Sequence, residues 1–283
     1  MKILITGSSG FLANFLIKKL KKKHEIIKAD LPKIDVSNFN KINNLIKKTK
    51  PDLVIHAAAA KGASKSHLSP KKFFDVNSFG TLNICESMRI NKVKKIVYIS
   101  SCSFYKRKKN EIKEDDPKDF NNPYGYGKYL GELIVNYYSE KYKFNSISLR
   151  PNLISGNHLA QDNLFYDIIK EVKKTGKATV FGNGNHTREF IHPYDIYSAI
   201  NLWLRKKNKN NFSVYNITNN RIKIKNAIKK TLNNLGKGKI VFKKTNSRVF
   251  SVKLSTRKIK KELKWSPKYD LDYIIKDNYE KFK

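Results

Sequence analysis

The sequence predicts an α/β fold: a doubly wound parallel sheet followed by a smaller C-terminal α/β lobe. Three observations carry this. Short apolar runs and longer helical patterns alternate through the first 150 residues. A glycine turn, Gly7-Ser8-Ser9-Gly10, follows directly on the first of those runs. After Arg150-Pro151 the alternation loosens into polar turns between helices, as expected of a second lobe. The 283 residues, 40% of them hydrophobic, suffice for one large domain or two lobes with a sizeable core.

Residues 2–6, built on Ile3-Leu4-Ile5, read as the first strand, and 11–22 as the helix behind the glycine turn. The runs at 25–29, 53–57, 96–100 and 146–150 are short and apolar between polar flanks, and read as strands. Between them 39–49, 71–90 and 126–143 have the length and periodicity of helices. In the second part, 157–163 reads as a polar loop, 164–175 as a helix, and Gly182-Asn183-Gly184-Asn185 as a turn cluster. A further helix starts near Tyr194, and 206–211 is a charged, Asn-rich linker. From Ser255 a helix runs to Trp265-Ser266-Pro267, and a short helix follows. No internal repeat is visible.

No apolar run approaches the ~20 residues that span a bilayer. The first residues read as a strand entering a glycine turn, not as a signal peptide, and no membrane association is expected. Cys85 and Cys102 give no disulfide framework, so a reducing cytoplasm is the expected setting. No metal site is expected. The formal net charge is +36, which raises nucleic acid as a partner. Only eight of the 59 basic residues are Arg, however, and the lysines are spread along the whole chain. Base and phosphate readers lean on Arg for bidentate contacts. The charge therefore reads as a solvated, composition-driven surface, and nucleic acid is not the expected partner. Anionic small substrates would still be attracted.

Gly7, Gly10 and Ala13 form a G-x-x-G-x-x-A turn between the first strand and first helix. Such a turn lets backbone N–H groups meet a pyrophosphate, which the helix N-terminus stabilises. Ser9, Phe11 and Leu12 belong to the same candidate site. Asp30 ends the second strand, 23 residues after Gly7. A carboxylate there accepts from both ribose hydroxyls and repels a 2′-phosphate, which favours NAD. Lys28 and Lys33 flank it and leave NADP open. Residues 1–150 are thus expected to be an NAD(P)-binding domain of Rossmann type, and 151–283 a substrate-binding lobe. Tyr124 and Lys128 stand four residues apart at the start of a helix and share a face. An ammonium beside a phenol favours the phenolate, so Tyr124 is expected to trade protons near neutral pH.

These motifs, taken together, resemble the extended short-chain dehydrogenases/reductases, the NAD-dependent epimerase/dehydratase family acting on nucleotide sugars. Thr6-Gly7-Ser8-Ser9-Gly10-Phe11 resembles the family's first motif, and Asp35-Val36 its adenine-contacting pair. His56-Ala57-Ala58-Ala59 resembles the segment lining the cofactor, and Asn77-Ser78-Phe79-Gly80-Thr81 its Asn-x-x-Gly-Thr helix. Tyr98-Ile99-Ser100-Ser101-Cys102-Ser103-Phe104-Tyr105 resembles the strand with the catalytic Ser or Thr. Pro123-Tyr124-Gly125-Tyr126-Gly127-Lys128 resembles the Tyr-Lys motif. Arg188-Glu189-Phe190-Ile191-His192 with Asp195, and Glu262-Leu263-Lys264-Trp265-Ser266-Pro267, resemble the substrate-domain and tail motifs.

The resemblance implies that Tyr124 transfers a proton at a sugar oxygen and that Lys128 lowers its pKa and binds the nicotinamide ribose. It implies that Ser101 bonds the same oxygen, with Ser100 and Ser103 as rivals for that place. Ser100 and Asn77 are expected at the cofactor, and Lys61 at cofactor or substrate. Cys102 directly follows the serine and is expected to border the substrate in a packing role. Arg188 and Arg248 are the expected diphosphate ligands. Asn152 is the expected amide contact, although the family's Asn position is held here by Leu153. His56 is expected to be structural and Asp195 a helix cap. The family's dehydratases place Asp-Glu after the catalytic residue. Here Cys102 and Ser103 stand there, which disfavours 4,6-dehydration.

The reading is an NAD-dependent epimerase acting by transient oxidation at C4 of a nucleoside-diphosphate hexose. The alternative is an NAD(P)H-dependent 4-ketoreductase, favoured by the short link from Asp30 to Asp35. A polyanion-binding protein on the same scaffold is the reading from another class. A homodimer is expected, with helices 71–90 and 126–143 forming a four-helix interface.

Overall fold

The computed structural model describes residues 1–156, 163–206, 211–245 and 251–280. The first half runs β1 (Lys2–Thr6), α1 (Phe11–Leu20), β2 (Glu25–Ala29), α2 (Phe39–Thr49) and β3 (Leu53–His56). It continues through α3 (Pro70–Phe74), α4 (Gly80–Ile90), β4 (Lys95–Ile99), α5 (Pro123–Tyr142) and β5 (Asn145–Pro151). The expected helix over 71–90 is thus divided: a wide turn at Asp75–Phe79 joins α3 to α4. The second half runs β6 (Leu153–Ile154), α6 (Leu164–Thr175), β7 (Lys177–Phe181), β8 (Thr187–Ile191), α7 (Pro193–Arg205) and β9 (Phe212–Ile217). It ends with β10 (Asn220–Lys223), α8 (Ile224–Leu235), β11 (Lys239–Lys243), α9 (Arg257–Leu263) and α10 (Leu271–Tyr279).

Six parallel strands form the central sheet in the order β2-β1-β3-β4-β5-β9. Alternation along each strand supplies both faces. Ile3, Ile5, Leu53, Ile55, Val97, Ile147 and Leu149 pack beneath α1, α7 and α9, with Trp203 and Trp265 filling that layer. Leu4, Val54, Ile96 and Tyr98 point the other way, toward α2, α4 and α5, among Ile42, Ile84, Met88 and Val135. With apolar residues on both faces, the strands read as continuous apolar runs.

The smaller lobe holds a three-stranded sheet, β10-β8-β6, and a parallel pair, β11-β7, with α6, α8 and α10. The chain passes between lobes more often than a single division at residue 150 allows. β9 returns to the central sheet beside β5, and α7 and α9 cover its face. Asp195 fastens the tail: its carboxylate accepts from the Lys268 N–H at 2.8 Å, and its carbonyl from Trp265 Nε1 at 2.9 Å. Among the described residues no helix is long and apolar enough to cross a membrane.

Candidate active site

The carboxyl ends of β1, β3 and β4 meet at one cleft, as the parallel topology requires. β1 runs into Gly7, whose φ of +66° is open to glycine at little cost. A Cβ there would lie 2.7 Å from the Ala58 Cα, so the turn also needs glycine for close passage over the neighbouring strand end. Gly10 caps α1 with no side-chain hydrogen bond, leaving the helix N-terminal N–H groups facing outward. Asp30 closes the turn: its carboxylate accepts from the N–H groups of Ser9 and Leu31.

α5 brings Tyr124 and Lys128 to the same cleft. Asn122 starts the helix by accepting from the Gly125 N–H at 2.8 Å, with Pro123 at the first helical position, one turn before the expected start. Gly127 and Gly131 let α5 press against the wide turn. A Cβ on Gly127 would sit 3.0 Å from the Phe73 carbonyl oxygen. Tyr124 is half-buried, while Lys128 is only 2% exposed with its Nζ 4.3 Å from the Tyr98 ring centroid. Ser101, at the end of β4, is buried. Its Oγ accepts from the Ser103 N–H at 3.1 Å and donates to Ser103 Oγ at 3.0 Å.

Burial governs the electrostatics. It pushes the Lys128 amine down to about 7, with the Glu132 carboxylate pulling the other way. It pushes the Tyr124 phenol above its ordinary value, opposed by the Ser101 hydroxyl. The expectation that Lys128 lowers the Tyr124 pKa is therefore corrected: burial raises it. A low-dielectric pocket disfavours both charged forms. His56 is fully buried and held neutral, its pKa pushed down to about 3 by burial and then by Lys128. Thr6 Oγ1 accepts from the Ala58 N–H, so its hydroxyl is free to donate to His56 Nδ1 at 2.7 Å. Thr81 Oγ1 donates to the Asn77 carbonyl and accepts from His56 Nε2 at 3.1 Å. This network assigns the tautomer and the structural role of the ring.

Phe11, Leu12, Ala57, Ala59, Lys61, Ser100, Ser101, Tyr124, Lys128 and Asn152 all line this cleft with Gly7. Asp30, Asp35, Val36 and Ala58 line an adjoining cleft, which shares Gly7, Ala57 and Ala59 with the first. Ser9 and Gly10 lie in the turn but border neither cleft. Asn77 is placed differently from expectation. It is buried, and its amide bonds both backbone groups of Ala60, at 2.9 and 3.1 Å, which fixes the segment after β3. Cys102 is half-buried outside the cleft lining, its thiol pushed up to about 12 by burial, which suits packing. Arg188 also lies outside that lining, its Nη1 donating to the Thr187 carbonyl at 3.3 Å. Arg248 lies outside the described residues.

Asn163 is a cleft residue that sequence reasoning passed over. It caps α6, accepting from the Phe165 N–H at 3.1 Å, and an Asn directly before an apolar helix was the signal available.

Residues 3–218 match the model of the NAD-dependent epimerase/dehydratase family. The chain belongs to that family. A putative UDP-glucose 4-epimerase of Methanocaldococcus jannaschii is 27% identical over 97% of this chain and 96% of its own length. A dTDP-D-glucose 4,6-dehydratase of Dictyostelium discoideum is 31% identical over 76% of this chain, a match that spans only 58% of that relative. Among solved structures, the UDP-glucose 4-epimerase of Thermotoga maritima superposes with a TM-score of 0.91. That superposition covers 100% of this chain and 98% of the other at 22% identity, and shows the shared fold.

The family's cofactor is NAD, and the cleft fits it. The Ser100 hydroxyl is buried at the cleft wall with no hydrogen-bond partner among the described residues, a group left for a ligand to satisfy. The open N-terminus of α1 and the glycine passage at Gly7 suit a pyrophosphate. Asp30, at the rim of the adjoining cleft, suits ribose hydroxyls. Lys128 and Tyr124 line the first cleft and not the adjoining one with Asp30, and would hold the nicotinamide ribose.

Proposed function

We propose that the protein is a nucleotide-sugar 4-epimerase acting by transient oxidation at C4 of a nucleoside-diphosphate hexose, with uridine diphosphate as the nucleotide. One observation carries the reading: Ser101 from β4 and Tyr124 and Lys128 from α5 converge on the cleft that adjoins the nucleotide turn. NAD, when bound, supplies the acceptor and then the donor of the C4 hydride. Tyr124 takes the proton of the C4 hydroxyl in its minor ionised form, which burial disfavours, while Ser101 holds the same oxygen. Lys128, as an ammonium, balances the charge on Tyr124. Once the keto sugar has turned its other face, Tyr124 returns the proton and the C4 epimer leaves. The second lobe, built on β6, α6, β7, β8, β10, α8, β11 and α10, holds the nucleotide sugar, with Arg188, Asn152 and Asn163 as its substrate contacts.

The absence of an acid after Ser101 supports epimerisation over 4,6-dehydration. The two following residues are Cys102 and Ser103, and a thiol pushed up to about 12 is a poor proton donor to a leaving hydroxyl. The protein works as a cytoplasmic homodimer in this reading. Phe79, Leu82, Leu133 and Tyr137 form an exposed apolar face on the wide turn, α4 and α5, which supports a four-helix interface.

The test is incubation of the purified protein with UDP-glucose and chromatographic assay for the C4 epimer. Tyr124→Phe should lower turnover ~10²–10⁴-fold, the range of general acid–base catalysis, while NAD binding persists. Oxidation of added NADPH by a nucleoside-diphosphate 4-keto sugar, its hydride passing to C4, with no retained NAD and no epimer from UDP-glucose, would favour the 4-ketoreductase instead.

A further inference from the structure

Lys128 is enclosed by groups from several elements. His56 of β3 is neutral, Tyr98 of β4 lies under the ammonium, and Cys85 of α4 shares the core layer of Tyr98. Its own helix adds Tyr124 one turn before and Glu132 one turn after. Of these, Glu132 alone brings a negative charge. Its carboxylate is held from the other side by β5. Arg150 Nε donates to it at 3.0 and 3.2 Å, Arg150 Nη2 donates to Oε1, and Ser148 Oγ donates at 2.6 Å. Arg150 is tied in turn to the Glu114 carbonyl at 2.7 Å and to the Tyr105 hydroxyl, which donates to Asn216 Oδ1 at 2.7 Å. Glu132 and Arg150 are each 3% exposed. A buried ion pair gains little stability over apolar residues of the same volume. What this one supplies is a fixed carboxylate one helical turn from Lys128, in a direction that side-chain motion cannot change.

We propose that Glu132 is a positioning residue for the reaction: clamped by Arg150 and Ser148, it keeps Lys128 an ammonium and holds the register of α5 on β5. The proposal rests on the role of Lys128 in the function proposed above. The two side chains leave α5 at Cβ atoms about 5–6 Å apart, and a fixed carboxylate in that neighbourhood of a partly buried ammonium moves its pKa by roughly one to two units. Glu132→Gln removes the carboxylate and leaves the Arg150 cation facing the gap, so both changes drive Lys128 toward the neutral amine.

The experiment uses the full chain and two readouts, NAD affinity by calorimetry and turnover of UDP-glucose, each across pH 5 to 10. Wild-type affinity should fall as pH rises through the Lys128 titration. In Glu132→Gln that inflection should move down by roughly one to two pH units, and the alkaline limb of turnover should follow. Glu132→Asp keeps the charge, so its inflection should stay in place even if its melting temperature drops. If Glu132→Gln does not fold, the pair Glu132→Gln with Arg150→Met avoids an unpaired buried cation and should show a smaller move in the same downward direction. An inflection unmoved in the neutral variant, with affinity lowered equally at every pH, would assign Glu132 a structural role and overturn the proposal. A wild-type affinity without an inflection would also overturn it. Failure to turn over UDP-glucose would count against the proposed function alone, because the NAD titration still decides the role of Glu132.

Discussion

Gly131→Ala is the sharpest test of how α5 is held. Alanine is the better helix former by about 1 kcal/mol, so propensity alone predicts a more stable protein. The structure predicts the reverse. A Cβ at 131 would lie 2.4 Å from the Tyr98 hydroxyl, 2.6 Å from the Asn77 carbonyl oxygen and 2.9 Å from Thr81 Oγ1. Neither of the two nearest atoms can withdraw freely. The Tyr98 hydroxyl donates to the Lys128 carbonyl at 3.1 Å, and the Asn77 carbonyl belongs to the wide turn and accepts from Thr81 at 2.8 Å. Overpacking of this kind costs about 1–3 kcal/mol, and a lost hydrogen bond about 1 more. After the gain in propensity the net loss is roughly 1–3 kcal/mol, or a fall of about 2–9 °C in melting temperature at a scale of ~2–3 °C per kcal/mol. Scanning calorimetry reads it, with exposed Lys141→Ala as a control expected within about 0.5 kcal/mol of the parent. NAD affinity should fall too, since Lys128 lies on the displaced turn. A variant as stable as the parent, or more so, would refute the claim that glycine packing sets the position of Tyr124 and Lys128.

Asp30→Ala should weaken NAD more than NADP, because the carboxylate accepts from ribose hydroxyls and repels a 2′-phosphate; equal losses in calorimetry would remove that argument. Glu189 is buried, its pKa pushed up to about 7 mainly by desolvation, so its stabilising effect is present below pH 4.5 and lost as pH rises through 7. Glu189→Gln should therefore flatten the fall in stability between pH 5 and 8 by on the order of 2–3 kcal/mol, and an unchanged pH dependence of urea unfolding would contradict it.

The parts of the fold that were legible in the sequence are those that local chemistry decides. The glycine turn at Gly7, the Asn122-Pro123 helix start and the apolar runs of β1, β3 and β4 each announce themselves within a few residues. Which strands share a sheet is decided at a distance. Residues 212–217 return to pair with β5 after the chain has built β6 to β8, and nothing in that hexapeptide names its neighbour. The site follows the same division. Tyr124 and Lys128 were readable from their spacing and Ser101 from the family resemblance, and all three border one cleft. The electrostatics were not, because spacing shows the charges that neighbour Tyr124 but not the burial that outweighs them. Asn77 likewise reads as a cofactor ligand from its motif, whereas the wide turn at Asp75–Phe79 aims its amide at Ala60. The Glu132–Arg150 clamp joins residues 18 apart on different elements and carries no sequence signature.

The central claim is that one hydride leaves C4 of the sugar and returns to the same carbon. UDP-glucose carrying deuterium at C4 tests it directly, with the product analysed by mass spectrometry and proton NMR. The C4 epimer should keep its deuterium, with none appearing in water or in free dinucleotide. An epimer that has lost the label, or a 4-keto product that accumulates with the label transferred elsewhere, would contradict it.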